Sequence, residues 1–100
     1  MPRERDFYEK IMNVVRKKYP RAYVRKIADR FSRGIPDIVI TFPCKGEGRT
    51  LYVEVKMVGE KCSKLQEEEH EQIRRAWGTV IVAFGVDDVM TALDVMGAEA

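Results

Sequence analysis

The sequence predicts an α/β fold in which a mixed central sheet is flanked by helices, in the order α-β-β-β-α-β-α. Three segments have the apolar spacing of amphipathic helices, and four short runs rich in β-branched residues are typical of strands. A helix separates the last two strands, so residues 50–84 should form a parallel, right-handed crossover. The 100 residues are expected to form a single domain.

The first half of the chain contains one predicted helix and three predicted strands. The helix covers residues 3–18, with acidic residues in its first turn, basic residues in its last turn, and Pro20 after it. Its apolar residues recur at helical spacing: Phe7, Ile11, Val14 and Val15. Strands are expected at 22–27, at about 37–42 and at about 50–57. Between the last two, residues 43–49 hold proline, glycines and charges and are expected to form a hairpin loop.

The second half contains a helix, a buried strand and a last helix. Ser63 and Gln66 have the spacing of a capping box at the start of a helix over 63–77, which Gly78 ends. The apolar side of this helix is predicted from Leu65, Ile73, Ala76 and Trp77, with Ile73 and Trp77 in the core. The apolar run 79–84 is the buried strand. Asp87 or Asp88 is expected to cap the last helix, which runs to about Met96, and 97–100 to be loose. Its inner face is predicted to be Val89, Leu93 and Met96.

Composition and charge limit the class of protein. No apolar run approaches the length of a membrane span, and the N-terminus has no signal-peptide core, so a cytoplasmic protein is expected. The net charge of +2 is unevenly placed: residues 1–33 carry eleven Lys or Arg against four Asp or Glu. This basic third suits phosphate contacts, although a solvated charged surface explains it equally well. Cys44 and Cys62 lack zinc-ligand spacing; reduced thiols are favoured, and one disulfide is the alternative.

Two neighbouring strands carry charged groups that should meet at one edge of the sheet. Because side chains alternate along a strand, Glu54 and Lys56 lie on the same face, opposite to the apolar residues. Asp37 opens the preceding strand directly after Pro36. If the strands pair, two carboxylates and an ammonium group converge, and a divalent cation is a natural partner for the carboxylates. Taken singly, each motif is more common as a solvated ion pair or a turn.

The order of these motifs resembles the VRR-NUC branch of the PD-(D/E)XK nuclease superfamily. The resemblance rests on Arg33-Gly34-Ile35-Pro36-Asp37, then Glu54-Val55-Lys56, then Ser63-Lys64-Leu65-Gln66. It covers roughly residues 4 to 90 and implies a restriction-endonuclease-like αβββαβ core with one extra C-terminal helix. It also implies a metal-dependent DNA endonuclease, of the junction-resolvase kind that acts on branched DNA such as a Holliday junction or a flap.

The resemblance assigns roles to particular residues. Asp37, Glu54 and the main-chain carbonyl of Val55 would hold Mg²⁺ or Mn²⁺, for which carboxylate oxygens are suitable ligands. Lys56 would position the attacking water and stabilise charge rather than act as a base, because a lysine beside two carboxylates keeps its proton. Gln66 would lie near the catalytic lysine, a role that is compatible with the capping box.

A helix-one glutamate near the metal is a further implication of the resemblance. Glu4 falls inside the apolar arc of the first helix, whereas Glu9 falls on roughly the opposite side. Glu4 is therefore assigned to the site, with Glu9 as the second choice. The simpler interpretation is that the first turn frays and leaves Glu4 in solvent.

DNA contact is assigned to the basic third of the chain, and Arg33 beside the Asp37 turn is the foremost phosphate-binding residue. The full expected set is Arg25, Lys26, Arg30, Ser32 and Arg33. A four-way junction has two equivalent cleavage points, so a twofold homodimer is expected. A nuclease acting on ordinary duplex, a binding module without catalysis, and a partner-binding domain are the alternatives.

Three other residues are given structural interpretations. His70 is the only histidine, lies among glutamates on its helix, and is expected at the surface rather than at a site. Tyr23 and Tyr52 are expected to pack in the core or on the sheet, with nucleic-acid contact as the alternative.

Overall fold

The predicted order of elements is confirmed by the computed structural model, which describes residues 4–28 and 33–100, apart from the Glu4 side chain. The elements follow each other as three helices and four strands. They are α1 (Glu4–Lys18), β1 (Tyr23–Lys26), β2 (Ile38–Cys44), β3 (Glu47–Val55), α2 (Lys64–Arg75), β4 (Thr79–Ala83) and α3 (Val86–Val95). The strands form one mixed sheet in the order β1-β2-β3-β4. β1, β2 and β3 pair antiparallel, and β3 pairs parallel with β4, as the crossover requires.

One face of the sheet is closed by α1 and α3. Burial alternates strictly along β2, where every second side chain from Ile38 onward is buried. The same alternation in β3 buries Leu51, Val53 and Val55. Helix α1 adds Ile11 and Val15 to this core. Helix α3 supplies Val89 and Leu93, which confirms the predicted inner face of the last helix.

The hairpin between β2 and β3 is tighter than the sequence predicts. The expected loop over 43–49 is wrong: β2 continues through Cys44, and only Lys45 and Gly46 form the turn, both at positive φ. A two-residue hairpin needs this left-handed geometry, which glycine adopts freely. Pro43 is tolerated because β1 begins opposite Thr41, so β1 does not pair with the part of β2 that contains Pro43.

Helix α2 ends differently from the prediction. Trp77 is not a core residue: it is 95% exposed and adopts a φ of 64°, the left-handed position after the helix that glycine usually takes. Gly78 is needed one residue later, where its N–H donates to the Ile73 carbonyl and an added Cβ would lie 2.7 Å from that side chain. Ile73 is half-buried rather than core, and Leu65 is largely exposed.

The start of α3 and the end of the chain also differ from the predictions. Gly85, not an aspartate, is the N-cap, and Asp88 accepts the Phe84 N–H from inside the first turn. The last residues are not loose, because the Glu99 N–H donates to the Pro43 carbonyl at 3.1 Å. The Glu99 carboxylate in turn accepts the N–H of the Lys45 turn at 2.6 Å. The chain end is therefore held against the β2–β3 hairpin.

In the described residues, no helix is both long enough and apolar enough to cross a membrane. Cys44 and Cys62 are both free, Cys44 buried and Cys62 half-buried.

Candidate functional site

Asp37 is fixed at the entrance of β2 by the backbone of β3. Its N–H donates to the Val53 carbonyl at 2.9 Å, and its carboxylate Oδ2 accepts the Val55 N–H at 2.7 Å. Its own carbonyl accepts the Ile27 N–H at 2.8 Å. The carboxylate is thus positioned by three strands at once, at the end where β3 delivers Glu54 and Lys56.

Glu54 is the buried member of the carboxylate pair. It lies on the sheet face that α2 covers and is only 1% exposed. The Gln66 amide Nε2 donates to its Oε2 at 3.2 Å, and His70 Nε2 lies 3.3 Å from its Oε1. Two residues of α2 therefore hold one oxygen each, which leaves further lone pairs of this carboxylate for other partners.

The two carboxyl groups lie close enough to share a hydrogen bond. Burial raises the pKa of Glu54 from its ordinary value of 4.5 to about 8, and the hydrogen bond and the charge of Asp37 add to the shift. Lys56 and Lys26 oppose it without cancelling it. Neighbouring carboxylates disfavour each other's ionisation unless cations compensate their charge. The donor set of Asp37 and Glu54 therefore fits a hard divalent ion, which would replace the proton on Glu54.

No group of three or more carboxylate, imidazole or thiolate ligands comes together among the side chains that the structure describes. The third predicted carboxylate ligand, Glu4, begins α1, but its side chain lies outside the described part, so its role stays a prediction. Glu9, the second choice, is 52% exposed and pairs with Arg5 at 3.3 Å on the outer side of α1. The Val55 carbonyl also stays a predicted ligand.

Gln66 both caps helix α2 and contacts a carboxylate of the candidate site. Its Oε1 accepts the Ser63 N–H at 2.8 Å while its own N–H donates to the Ser63 hydroxyl at 3.1 Å, a complete capping box. The same amide uses Nε2 to hold Glu54. The cap at the start of α2 thereby orients a side chain of the carboxylate pair.

His70 belongs to the site, and the prediction of a surface position is wrong. It is 3% exposed and is the only fully buried residue of α2. Burial lowers the pKa of His70, and the charge of Arg74 lowers it further, so the imidazole is neutral near pH 7. Its spacing of four from Gln66 places both on one helix face, a signal that the sequence contained.

Tyr8 is a second residue that the sequence reasoning missed. Its hydroxyl lies 3.5 Å from Asp37 Oδ1, and the Lys26 ammonium sits 4.6 Å from its ring centre. Lys26 also approaches Asp37 Oδ1 to 3.8 Å. Tyr8 follows Glu4 by about one helical turn. It therefore lies on the same inward-facing side of α1 to which Glu4 is assigned.

The segment before Asp37 docks on the N-terminus of α2. Gly34 has a φ of 83°, and an added Cβ would lie 2.7 Å from the backbone C and O of Leu65. Only glycine satisfies both the conformation and the close approach. This contact sets Asp37 against the helix that holds Glu54.

The predicted basic residues are partly placed. Arg33 and Arg25 are exposed, whereas Lys26 is engaged with Asp37. Lys56 is half-buried after β3, and its N–H donates to the Ala83 carbonyl at 3.0 Å. Arg30 and Ser32 lie outside the described residues, so their assignment to DNA stays a prediction.

Comparison with known proteins gives a consistent result. The family model of the VRR-NUC domain matches residues 2–87. A solved structure described as a VRR_NUC domain is similar with a TM-score of 0.68 and 23% identity, covering 87% of this chain and 94% of its own. A second, described as a VRR_NUC domain protein, has a TM-score of 0.65 and 18% identity, covering 89% and 86%. No curated protein sequence matches the chain.

Proposed function

Because this chain belongs to the VRR-NUC domain family and has its nuclease-type fold, we propose that it is a metal-dependent endonuclease acting on branched DNA. The observation that carries the proposal is the proximity of the Asp37 and Glu54 carboxyl groups at the end of β3, where burial and the charge of Asp37 raise the pKa of Glu54. An ordinary structural pair of carboxyls gains nothing from such proximity. A site for a divalent cation does, because the cation neutralises both.

Asp37 and Glu54, with the Val55 carbonyl, are the residues that would hold Mg²⁺ or Mn²⁺. When bound, the cation would polarise a phosphodiester and lower the pKa of a coordinated water. Gln66 and His70 orient Glu54 for this role, as partners of metal ligands commonly do. The Val55 N–H does the same for Asp37.

Lys56 is the cationic group next along β3 on the same face as Glu54. In the proposed reaction its ammonium positions the attacking water and stabilises negative charge on the phosphate. Its charge also opposes the upward pKa shift of Glu54, which supports its proximity to the pair. In this proposal Lys56 has no role as the general base.

The proposed substrate is DNA because two exposed arginines, Arg25 and Arg33, precede Asp37 in the basic first third of the chain. Arg33 directly precedes the glycine that docks on α2, so it can contact a phosphate near the scissile bond. The branched character of the substrate comes from the family alone. Paired cuts in a four-way junction would need two sites, which a homodimer would supply.

The test is single-turnover cleavage of linear, flapped and four-way DNA side by side, with Mg²⁺, Mn²⁺, Ca²⁺ or excess chelator. We expect cleavage with Mg²⁺ or Mn²⁺, preference for branched DNA, and little cleavage with Ca²⁺, whose larger coordination shell misplaces the water. Cleavage that persists in excess chelator would contradict the metal site. Equal rates on all three substrates would favour a nuclease acting on ordinary duplex.

Asp37→Asn is the matched test of the chemistry. It removes a charged ligand while keeping shape, so the cleavage rate should fall by about a thousandfold or more while the fold persists. Asp94→Asn makes the same chemical change on the exposed side of α3 and should cleave like the wild type. If Asp37→Asn cleaves normally, the protein is a binding module rather than an enzyme of this kind.

The expected homodimer is tested separately by sedimentation at micromolar protein, with and without four-way DNA. We expect twice the mass of one chain in the presence of the junction. A mass of one chain under both conditions would contradict the paired-site proposal without affecting the metal site.

A further inference from the structure

The sheet face that carries Glu54 is only partly covered. Helix α2 packs against β4 at one side of this face, while α1 and α3 lie on the opposite face. On the far side, Tyr23 is 57% exposed and Arg25 is exposed. We define the open face by the side chains that share it with Glu54. They are Tyr23, Arg25, Thr41, Thr50 and Tyr52.

The strand register arranges these side chains in two rows. Tyr23 pairs with Thr41, which pairs with Thr50, and the two threonine hydroxyls hydrogen-bond at 2.9 Å. In the next row, Arg25 lies two residues further along β1 and Tyr52 two residues further along β3. Tyr52 precedes Glu54 by two residues, roughly 7 Å along the strand. The open face therefore leads directly into the carboxylate site.

A groove of about 850 Å³ continues the open face between β3 and the C-terminal end of α2. Tyr52 and Thr50 form part of one wall, and Ile73 and Trp77 part of the other. Trp77 presents a fully exposed aromatic ring from a left-handed backbone position, which is unfavourable for a bulky residue. An exposed tryptophan ring at the rim of a groove offers a large apolar surface for a ligand to cover.

This surface carries aromatic rings and two arginines. The Arg25 guanidinium stacks on the Tyr23 ring at 4.5 Å. Arg49, which donates to the Met96 carbonyl at 3.2 Å, lines the groove together with Glu47. Flat aromatic rings bind nucleobases by stacking, and arginines beside them contact the phosphates. In a duplex the base faces are already stacked on each other, so only unpaired nucleotides offer them.

We infer that the open face and its groove bind unpaired nucleotides of single-stranded DNA next to the cleavage site, with Tyr23 and Trp77 as stacking residues. The inference rests on the proposed nuclease function for its biological meaning but is measured independently of cleavage. An unpaired strand lying across β1 to β3 would reach Asp37 and Glu54 without leaving this face. The site would thereby select DNA in which a branch or flap exposes unpaired bases.

Trp77 is the only tryptophan, so its fluorescence reports directly on this surface. The titration uses a single-stranded oligothymidylate of about 12 nucleotides and a blunt duplex of equal length, both in excess chelator to prevent cleavage. We expect the oligothymidylate to quench Trp77 as bases stack on it, and the duplex to quench it far less. Equal fluorescence with and without the single strand would overturn the inference.

Tyr23 provides the variant series. Tyr23→Ala should weaken single-strand binding at least about fivefold, while Tyr23→Phe, which keeps the ring, should stay within about twofold of wild type. Val95→Ala removes an exposed apolar side chain from α3 and is the matched control, expected to bind normally. Both Tyr23 variants should bind the duplex like wild type, because stacking is not used there.

The outcomes separate this inference from the proposed function. Normal single-strand binding by Tyr23→Ala overturns the stacking surface even when Asp37-dependent cleavage is intact. In another outcome, the protein cleaves none of the DNA substrates, while single-stranded DNA still quenches Trp77 and binding still depends on Tyr23. That result would support the stacking surface and contradict the nuclease proposal. If Trp77→Ala instead halves the sedimenting mass without changing DNA binding, the groove is a contact between copies and the inference is wrong.

Discussion

The two faces of the sheet are built from the same strands but serve different purposes. On the closed face, buried apolar side chains of β2 and β3 meet α1 and α3 and form one continuous core. On the other face, the alternate residues of the same strands are polar or half-buried, and α2 contributes only His70 to the interior. Because side chains alternate along a strand, one sheet can stabilise the fold with one face and hold charged groups on the other.

The first prediction compares the loss of stability caused by one substitution on each face of the sheet. Phe42→Ala on the closed face removes a fully buried ring and should cost about 3–5 kcal/mol of unfolding free energy. Val39→Ala on β2's other face removes a half-buried side chain and should cost about 1 kcal/mol. Denaturant unfolding of both variants measures the difference. Equal losses would mean that the open face is as tightly packed as the core.

Site residues whose position depends on a single strand can be predicted from the sequence. The alternation of β3 places Glu54 and Lys56 on one face, and Pro36-Asp37 marks the entrance of β2, without knowledge of the tertiary structure. His70 and Tyr8 were missed because their roles depend on how α2 and α1 are rotated against the sheet. That rotation is set by contacts distant in sequence, such as Gly34 against the Leu65 backbone.

The wrong predictions for Trp77 and for the chain end both rest on local sequence patterns alone. Trp77 was assigned to the core because hydrophobic spacing treats every large apolar side chain as inward, yet the helix has already ended there. The sequence predicts a loose chain end because the last residues of most domains are poorly ordered. It is held by hydrogen bonds to the β2–β3 hairpin, which no local pattern indicates.

The second prediction concerns how the free energy of unfolding depends on pH, because Glu54 is buried beside Asp37. The folded-state pKa of Glu54, about 8, lies above its ordinary value of 4.5, so the folded protein keeps a proton that the unfolded chain loses. The stabilisation of the folded state by this proton is full below about pH 4.5 and is lost as the pH rises toward 8. In chelator, the unfolding free energy should therefore fall by a few kcal/mol across this window.

Denaturant unfolding at several pH values measures this slope. Glu54→Gln cannot titrate and should flatten the slope between pH 5 and 8, which makes it the matched control. Saturating Mg²⁺ should flatten it in the wild type as well, because the cation replaces the proton. A wild-type slope unaffected by Glu54→Gln would show that the titrating group lies elsewhere.

The third and smallest prediction addresses His70 as a positioning residue for Glu54. His70→Leu removes the hydrogen bond at 3.3 Å and should weaken metal binding about 10- to 100-fold. His70→Gln offers an amide donor in its place and should recover part of the loss. The readout is the Mg²⁺ concentration that gives half the maximal cleavage rate. Equal stability losses in both variants, with no shift in that concentration, would indicate a purely structural residue.

We expect Asp37 and Glu54 together to bind a divalent cation on the open face. Titration calorimetry of Mn²⁺ into the protein without DNA tests it most directly, with Asp37→Asn and Asp94→Asn measured alongside. We predict one site in the wild type and in Asp94→Asn, with proton release near pH 7 as Glu54 ionises. Asp37→Asn should lose at least about tenfold in affinity. Equal Mn²⁺ affinity in Asp37→Asn and wild type would contradict the account.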